Sequence, residues 1–159
     1  MSAKVRDWMH RDVRTVREDL PLAELDHRFL ADRVTGFPVV AQDGALIGLV
    51  SRSDVIRQLS VEHTWAETLS DYYTDWSGFD STVPSLTEIG ERTGRRLEER
   101  TVADVMAREP ITIDPDDALS KAAGILVEKH FHRLPVIEKG RIVGILSSLD
   151  IARHVAERG

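Results

Sequence analysis

The chain has 159 residues, of which 42% are hydrophobic and 30% charged, a composition typical of one folded domain or two small ones and not of a disordered chain. Its formal net charge of −6 argues against a nucleic-acid partner, whose phosphates need basic residues, and against an anionic membrane surface. The sequence contains no cysteine, which excludes disulfides, thiolate metal sites and a cysteine nucleophile.

The N-terminal residues lack the apolar segment of a signal peptide. The longest apolar run, at about residues 45–50, is far shorter than a membrane span. We therefore expect a cytoplasmic protein.

An internal repeat organises the chain. The motif Val5-Arg-Asp-Trp-Met9 recurs 97 residues later as Val102-Ala-Asp-Val-Met106, and further identities follow at the same offset. After a gap of one residue the offset becomes 96, and the identities continue to the end of the repeat. The sequence therefore divides into a first repeat at residues 1–59, an insert at 60–101 and a second repeat at 102–159.

The first elements of each repeat are predicted to be a short strand and an amphipathic helix. A β-type segment at residues 13–16 precedes the first helix, and residues 111–113 are its counterpart. Pro115, which follows Asp114, is typical of the first turn of a helix, so the helix of the second repeat is predicted to begin there. The apolar residues expected on the buried faces of the two helices are Leu22, Leu25, Phe29, Leu30, Leu119, Ala122, Ala123, Leu126 and Val127.

The remaining elements of each repeat are predicted to be a β-hairpin and a second helix. Gly44 and Gly140 lie in the tight turns of the hairpins, and the second helices begin near Ser51 and Ser147. A β-α-β-β-α unit of this size cannot bury both faces of its sheet alone. We therefore predict an α/β (α+β) fold in which two such repeats pack with pseudo-two-fold symmetry into one module.

The insert differs in composition from both repeats. It carries a net charge of −5, whereas the first repeat is neutral and the second has a charge of −1. Trp65, Leu69, Tyr72 and Trp76 have helical spacing, which predicts a stripe that packs on the body of the protein or on a second subunit; an aromatic lid over a ligand is the alternative. Four arginines near its end are expected to form a solvated face, with a partner site as the alternative: Arg92, Arg95, Arg96 and Arg100.

A signature of the form Gly-x-x-Ser-x-x-Asp ends the hairpin of each repeat. Its serine and aspartate are Ser51 and Asp54 in the first repeat and Ser147 and Asp150 in the second. At a helix start, free amides, a hydroxyl and the helix dipole favour a phosphate, and a carboxylate one turn later suits the hydroxyls of a ribose. The same residues also form a capping box that needs no ligand, and from the pattern alone capping is favoured.

The two repeats together resemble a tandem pair of cystathionine-β-synthase (CBS) domains, also called a Bateman module. The resemblance rests on Val-x-Asp-x-Met, on the apolar-Pro-Val strand and on the duplicated Gly-x-x-Ser-x-x-Asp signature. It implies a non-catalytic regulatory module that binds an adenosine-type ligand, such as AMP, ADP, ATP or S-adenosylmethionine, between the repeats. It further implies that Ser51 and Ser147 face phosphate and that Asp54 and Asp150 bind the ribose.

His132-Arg-Leu-Pro-Val136 in addition resembles the His-Arg-apolar-Pro-Val segments of the AMP-activated protein kinase gamma subunit. This implies that His132 and Arg133 contact phosphate, although an exposed structural role is the alternative for Arg133. The first repeat has Thr35-Gly36 instead, so phosphate binding in its cleft is expected only where Arg133 reaches across the shared interface. Thr112 and its counterpart Thr15 are weaker candidates for ligand contact.

Other chemistries lack a supporting pattern in the sequence. The six histidines lack His-x-x-x-His spacing; His130-Phe-His132 could chelate a metal, but a surface or phosphate contact is favoured for this pair. There is no P-loop, dinucleotide-binding loop or nucleophile elbow, so we expect neither a metal site nor an enzyme. The leading hypothesis is an adenosine-ligand sensor that forms a homodimer, as the resemblance implies, and regulates another protein. The alternative is an interaction or scaffold module with ligand-free clefts.

Overall fold

The computed structural model describes residues 2–60, 72–74, 79, 86–87 and 99–158, with side chains given up to residue 57 in the first of these ranges. Three residues of the predicted aromatic stripe lie outside the described residues, as do three of the four arginines that follow it. These are Trp65, Leu69, Trp76, Arg92, Arg95 and Arg96.

The first repeat contains β1 (Val16–Arg17), α1 (Leu22–Asp32), β2 (Gly36–Val40), β3 (Leu46–Ser51) and α2 (Arg52–Ser60). Strands β1 and β2 are parallel, and β2 and β3 form an antiparallel hairpin. This is the predicted element order.

The second repeat contains β4 (Ala107–Arg108), α3 (Leu119–Lys129), β5 (Arg133–Glu138), β6 (Arg141–Ser147) and α4 (Ser148–Arg158). Strands β5 and β6 form the second hairpin, and Ile113 bridges to Val136 in parallel, as β1 does to β2. The structure thus has the mixed α/β architecture that the sequence predicts.

The start of α3 differs from the prediction. The helix begins at Leu119, four residues after Pro115, and its N-cap is Ala118. The intervening residues form a closed turn, in which the Asp117 amide donates to the Asp114 carbonyl at 3.1 Å. The Asp-Pro pair therefore opens a turn before the helix and not the helix itself.

The turns of the two hairpins require backbone conformations that glycine favours. Gly44 has φ = +87° and Gly140 has φ = +79°. In the second turn Lys139 also has a positive φ of 53°, so both central residues, Lys139 and Gly140, are left-handed. This is the pattern of a type I′ turn, whose twist matches that of the strands in a two-residue hairpin. A glycine at each of these positions thus accounts for the left-handed residue that both turns require.

The segment that leads into each repeat packs on the other repeat. We call residues 2–15 the first lead and residues 101–112 the second lead. Ala107 of the second lead pairs with Leu49 of β3, and His10 of the first lead pairs with Ile145 of β6. These two pairs are pseudo-symmetric counterparts at the offsets of 97 and 96 residues, so the exchange is reciprocal.

The signature glycines make this exchange possible. A Cβ at Gly48 would lie 2.6 Å from the carbonyl oxygen of Ala107, and one at Gly144 would lie 2.8 Å from that of His10. Only a residue without a Cβ lets the backbone of the opposite lead approach so closely. The glycine of the signature therefore serves packing between the repeats.

Each repeat has its own hydrophobic core, and each core includes residues of the other repeat's lead. Val102, Val105 and Met106 belong to the first core, and Val5 and Met9 belong to the second. Since each lead buries these apolar side chains in the core of the opposite repeat, neither core is complete within one repeat.

Two residues predicted to be buried are exposed. Leu30 is 45% exposed and Val127 is 76% exposed. They occupy equivalent positions on α1 and α3. The buried face of each helix is narrower than predicted: it includes Phe29 and Leu126, and Leu30 and Val127 lie just beside it. In the part of the chain that the structure describes, no helix has the length and apolar character needed to cross a bilayer.

Candidate functional site

The serine and aspartate of each signature form a reciprocal capping box. The Asp54 amide donates to Ser51 Oγ at 3.0 Å, and the Ser51 amide donates to Asp54 Oδ2 at 3.1 Å. In the second repeat the corresponding distances are 3.2 Å and 2.8 Å, and Ser147 Oγ also lies 2.8 Å from Asp150 Oδ2. One oxygen of each carboxylate is thus engaged in starting a helix.

The second oxygen of each carboxylate faces a cation-forming side chain. Asp150 Oδ1 lies 3.1 Å from His10 Nε2 and 3.4 Å from Arg153, while Asp54 Oδ1 lies 3.6 Å from Arg57. The Asp150 side chain is fully buried, whereas the His10 side chain is 61% exposed. The exposed His10 side chain thus covers the buried Asp150 carboxylate on its solvent side.

Each cleft between the repeats is built from both of them. The first cleft lies between the first lead at residues 12–14, strand β2 and strands β5 and β6 of the second repeat. The pseudo-symmetry of the repeats defines a second cleft between the second lead at residues 109–111, strand β5 and strands β2 and β3 of the first repeat. Asp150 contacts His10 of the first lead, which continues into the first cleft, and Asp54 is the pseudo-symmetric counterpart of Asp150.

The first cleft contains a cavity of about 250 Å³. This is slightly below the range of roughly 300–1,000 Å³ for small-molecule sites. Its walls are largely apolar, with Arg14 and Arg133 as cations and Asp12 as an acid. The lining residues are Asp12, Val13, Arg14, Val34, Gly36, Phe37, Pro38, Tyr72, Arg133 and Ile145.

Arg133 lines this cavity although it belongs to the second repeat. Its guanidinium lies 5.2 Å from the centre of the Tyr72 ring, in a cation–π arrangement. The sequence left open whether Arg133 reaches across the interface or has only a structural role. Its position on the first cavity corresponds to the former arrangement.

Tyr72 explains why the first repeat lacks an arginine at the position of Arg133. The counterpart of Arg133 is Gly36, and a Cβ there would lie only 2.7 Å from Tyr72 Cδ2. The glycine therefore makes room for the tyrosine ring. Burial raises the pKa of Tyr72, and the nearby Arg133 charge opposes this effect without cancelling it.

Tyr73, the next residue, is buried in the core of the second repeat. Its ring stacks on Phe131 with centroids 4.2 Å apart, and its hydroxyl accepts a hydrogen bond of 2.7 Å from the Ile111 amide. The His132 amide donates to the Tyr73 carbonyl at 2.7 Å. Burial raises the pKa of the Tyr73 hydroxyl to about 12, so it stays protonated at neutral pH.

The other predicted ligand contacts lie near the two clefts without defined polar contacts to a cavity. Thr15 is half-buried next to the lining residues, and its carbonyl accepts a hydrogen bond from Arg28. Thr112 and His132 are also half-buried. His132 is not among the residues that line the first cavity, whereas the adjacent Arg133 is.

Sequence reasoning missed the cavity-lining roles of Asp12, Arg14 and Gly36. It placed Tyr72 in a helical stripe, with a lid over a ligand as the alternative, and assigned no role to Tyr73. Gly36 stands where the second repeat has Arg133, and this difference could have indicated a close contact, because a glycine in a strand often marks the close approach of another group. Nothing in the local pattern identified Tyr72 as that group.

A family model described as CBS domain matches residues 5–61 and again residues 102–157. The chloroplastic CBS domain-containing protein CBSX1 of Arabidopsis thaliana is 28% identical over 143 residues, which cover 89% of this chain and 58% of that protein. The chain therefore spans little more than half of this relative.

Solved structures share the fold over nearly the whole chain. The crystal structure of CBSX2 in complex with AMP has a TM-score of 0.67 and 22% identity, and the match covers 97% of this chain and 96% of that one. The CBS domain pair of protein MJ0100, in complex with 5′-methylthioadenosine and S-adenosyl-L-methionine, has a TM-score of 0.63 and 18% identity, with full coverage of both chains.

Proposed function

The chain belongs to the CBS-domain family, and from this premise and the geometry of the first cleft we propose that it is a non-catalytic regulatory module that binds an adenosine-type ligand. The observation that carries the proposal is the cavity between the repeats, which combines apolar walls with Arg14 and Arg133. Related folds bind AMP in CBSX2 and 5′-methylthioadenosine and S-adenosyl-L-methionine in MJ0100, which supports this class of ligand.

The ligand would lie with its base against the apolar wall of the first cleft. Val13, Phe37 and Pro38 provide that wall, and a planar base buries its faces well against such side chains. Apolar contact also explains why the sequence itself carries no trace of base recognition.

Two arginines on one cavity favour a phosphorylated ligand. Arg133 presents a fork of donors, and Arg14 is already oriented by a 2.7 Å hydrogen bond to Asp32. A nucleotide would gain both contacts, whereas S-adenosylmethionine carries a positive sulfonium that the arginines repel. We therefore place AMP, ADP or ATP before S-adenosylmethionine.

The ribose would bind at the start of α4. Asp150 offers a carboxylate oxygen that now faces His10 at 3.1 Å, and Ser147 is hydrogen-bonded to the other carboxylate oxygen. Thr15 follows the cavity-lining Arg14 in the sequence. Ribose binding would move His10 and with it the first lead, which is hydrogen-bonded to β6. Ligand binding is thereby linked to the packing between the repeats, and this link would transmit the signal to a regulated protein.

Calorimetric titration with AMP, ADP, ATP and S-adenosylmethionine tests the proposal. Asp150→Ala should reduce nucleotide affinity at least tenfold, about 1.4 kcal/mol, because it removes a hydrogen bond to the ribose. Asp54→Ala is the matched control, since it removes an equivalent helix cap at the second cleft. Both variants are compared at a temperature at which thermal unfolding shows them folded.

The results would separate the sensor from the scaffold alternative. Equal loss of affinity in both variants would indicate general destabilisation and contradict the role of Asp150. No binding of any adenosine compound to the wild-type chain would favour an interaction module with ligand-free clefts. That alternative is supported by the capping boxes, which are complete without a ligand.

We also propose that the module forms a homodimer through α4. Leu149 and Val155 are 68% and 61% exposed on this helix, and burying them would favour association. Sedimentation should show a dimer that Leu149→Glu dissociates, with Val127→Glu on α3 as the exposed control. A monomeric wild-type chain would refute this part of the proposal.

A further inference from the structure

We propose that the Tyr73 side chain fills the second cleft at the position where a nucleobase would bind. Each chain then binds one adenosine-type ligand, in the first cleft. This inference rests on the proposed function, because it concerns which of the two clefts the ligand enters.

The position of Tyr73 follows from the pseudo-symmetry of the clefts. At the offset of 97 residues, Val34 of the first cavity corresponds to Phe131, and Arg14 corresponds to Ile111. Tyr73 contacts both counterparts: its ring lies parallel to Phe131 within 13°, and its hydroxyl bonds to the Ile111 backbone. The ring therefore occupies the part of the second cleft that corresponds to the open cavity of the first.

The polar contacts of Tyr73 match those of an adenine edge. Its hydroxyl accepts from the Ile111 amide at 2.7 Å and lies 3.4 Å from the Ile111 carbonyl oxygen. Adenine presents an acceptor ring nitrogen beside a donor amino group. It could therefore accept from the Ile111 amide and donate to the Ile111 carbonyl, as the Tyr73 hydroxyl does. The raised pKa of Tyr73, caused mainly by burial, keeps the proton that this second contact requires.

Further contacts hold the tyrosine in the cleft. Tyr73 is 3% exposed and its carbonyl accepts from the His132 amide at 2.7 Å. At a second point of the insert, the buried Asp26 accepts hydrogen bonds of 2.9 Å from the Leu86 amide and from the Thr87 hydroxyl. Hydrogen bonds thus connect the insert to both repeats. Removal of Tyr73 from the cleft would have to break several of these hydrogen bonds.

The charges of the two clefts also favour binding of the ligand in the first cleft. The two arginines of the first cavity, Arg14 and Arg133, have Ile111 and Gly36 as counterparts. The second cleft therefore lacks the pair that would attract a phosphate at these positions. Once emptied of Tyr73, it should accept a nucleoside with little preference for a phosphate.

Titration with AMP and with adenosine tests this inference. The wild-type chain should bind one equivalent of AMP, and Tyr73→Ala should bind a second equivalent, for which AMP and adenosine differ less than threefold in affinity. Tyr72→Ala is the matched control, because this neighbouring ring faces the first cavity. It should alter the affinity of the first site and leave the stoichiometry at one.

Photolabelling of the wild-type chain with 8-azidoadenosine gives a test that does not depend on the folding of a variant. The label should fall on peptides that contain residues 12–14 or 36–38. Label on residues 109–111, or two equivalents of AMP on the wild-type chain, would overturn the inference and leave the proposed function standing. A folded Tyr73→Ala variant that still binds one equivalent of AMP would also overturn the inference. If neither the wild type nor the variant bound AMP or adenosine, the proposed function itself would be refuted.

Discussion

Gly144→Ala tests the contact that joins the first lead to the second repeat. The new Cβ would lie 2.8 Å from the His10 carbonyl oxygen and 2.6 Å from the Met9 sulfur, against 3.4 Å or more in ordinary contacts. The Met9 side chain can rotate away. The His10 carbonyl cannot, because His10 and Ile145 exchange two backbone hydrogen bonds of 2.9 Å. The added methyl group must therefore displace the backbone of the lead.

The expected loss of stability follows from these contacts. Over-packing of a core position costs about 1–3 kcal/mol, and each weakened backbone hydrogen bond adds about 0.5–1.5 kcal/mol. Because the two hydrogen bonds are weakened and not lost, each adds about 0.5 kcal/mol, and we expect the free energy of unfolding to fall by about 2–4 kcal/mol in total. For a chain of this size, where 1 kcal/mol shifts Tm by about 2–4 °C, that corresponds to a decrease in Tm of roughly 4–16 °C.

Urea unfolding followed by circular dichroism would measure this loss. Gly124→Ala in α3 is the matched control, because a Cβ there meets no atom within 4 Å. Replacing a glycine within a helix by alanine should stabilise the protein by about 0.5–1 kcal/mol. Gly48→Ala should behave like Gly144→Ala, since it meets the Ala107 carbonyl in the same way. A wild-type unfolding midpoint for Gly144→Ala would refute the close approach of the lead to β6.

Three further predictions concern the insert and the helix caps. Asp26→Ala should lower the free energy of unfolding by about 1–3 kcal/mol, because it leaves the buried Leu86 amide without its acceptor, whereas the exposed Glu24→Ala on the same helix should change it little. Burial raises the pKa of Tyr73 from 10.0 to about 12, so its protonated form stabilises the fold fully below pH 10 and this contribution is lost as the pH rises through 12. The stability difference between the wild type and Tyr73→Phe, measured by urea unfolding, should therefore shrink from pH 10 to 12; a constant difference would contradict the burial of the hydroxyl. Ser51→Ala should cost about 0.5–2 kcal/mol of stability through the lost cap, and an unchanged Tm would count against the capping box.

Features that depend on neighbours in the sequence could be predicted. The reciprocal caps of Ser51 with Asp54 and of Ser147 with Asp150 span three residues, and the turns at Gly44 and Gly140 span two to four. In each case the bonds that define the feature lie within one helical turn or one hairpin. The repeat then predicted the overall architecture, because two copies of a half-covered sheet must bury each other.

Features that depend on distant contacts could not be predicted. Nothing near Arg133 indicates that its side chain reaches the first cavity, because this depends on a lead and a strand about 100 residues away in the sequence. The exposure of Leu30 and Val127 has a similar origin. Their helical spacing fits a buried face, but the width of the covered arc is set by the sheet beneath and by the exchanged lead.

The exchange of leads also determines the order in which the chain can acquire its structure. Val102, Val105 and Met106 complete the core of the first repeat, yet they are synthesised only after residues 1–60 and the whole insert. The pairing of Leu49 with Ala107 closes a loop of 58 residues, and contacts of such separation are formed late and slowly. The apolar face of a nascent first repeat therefore stays uncovered until the second lead emerges. A chain divided between residues 60 and 101 would yield two fragments that acquire their cores only by association with each other.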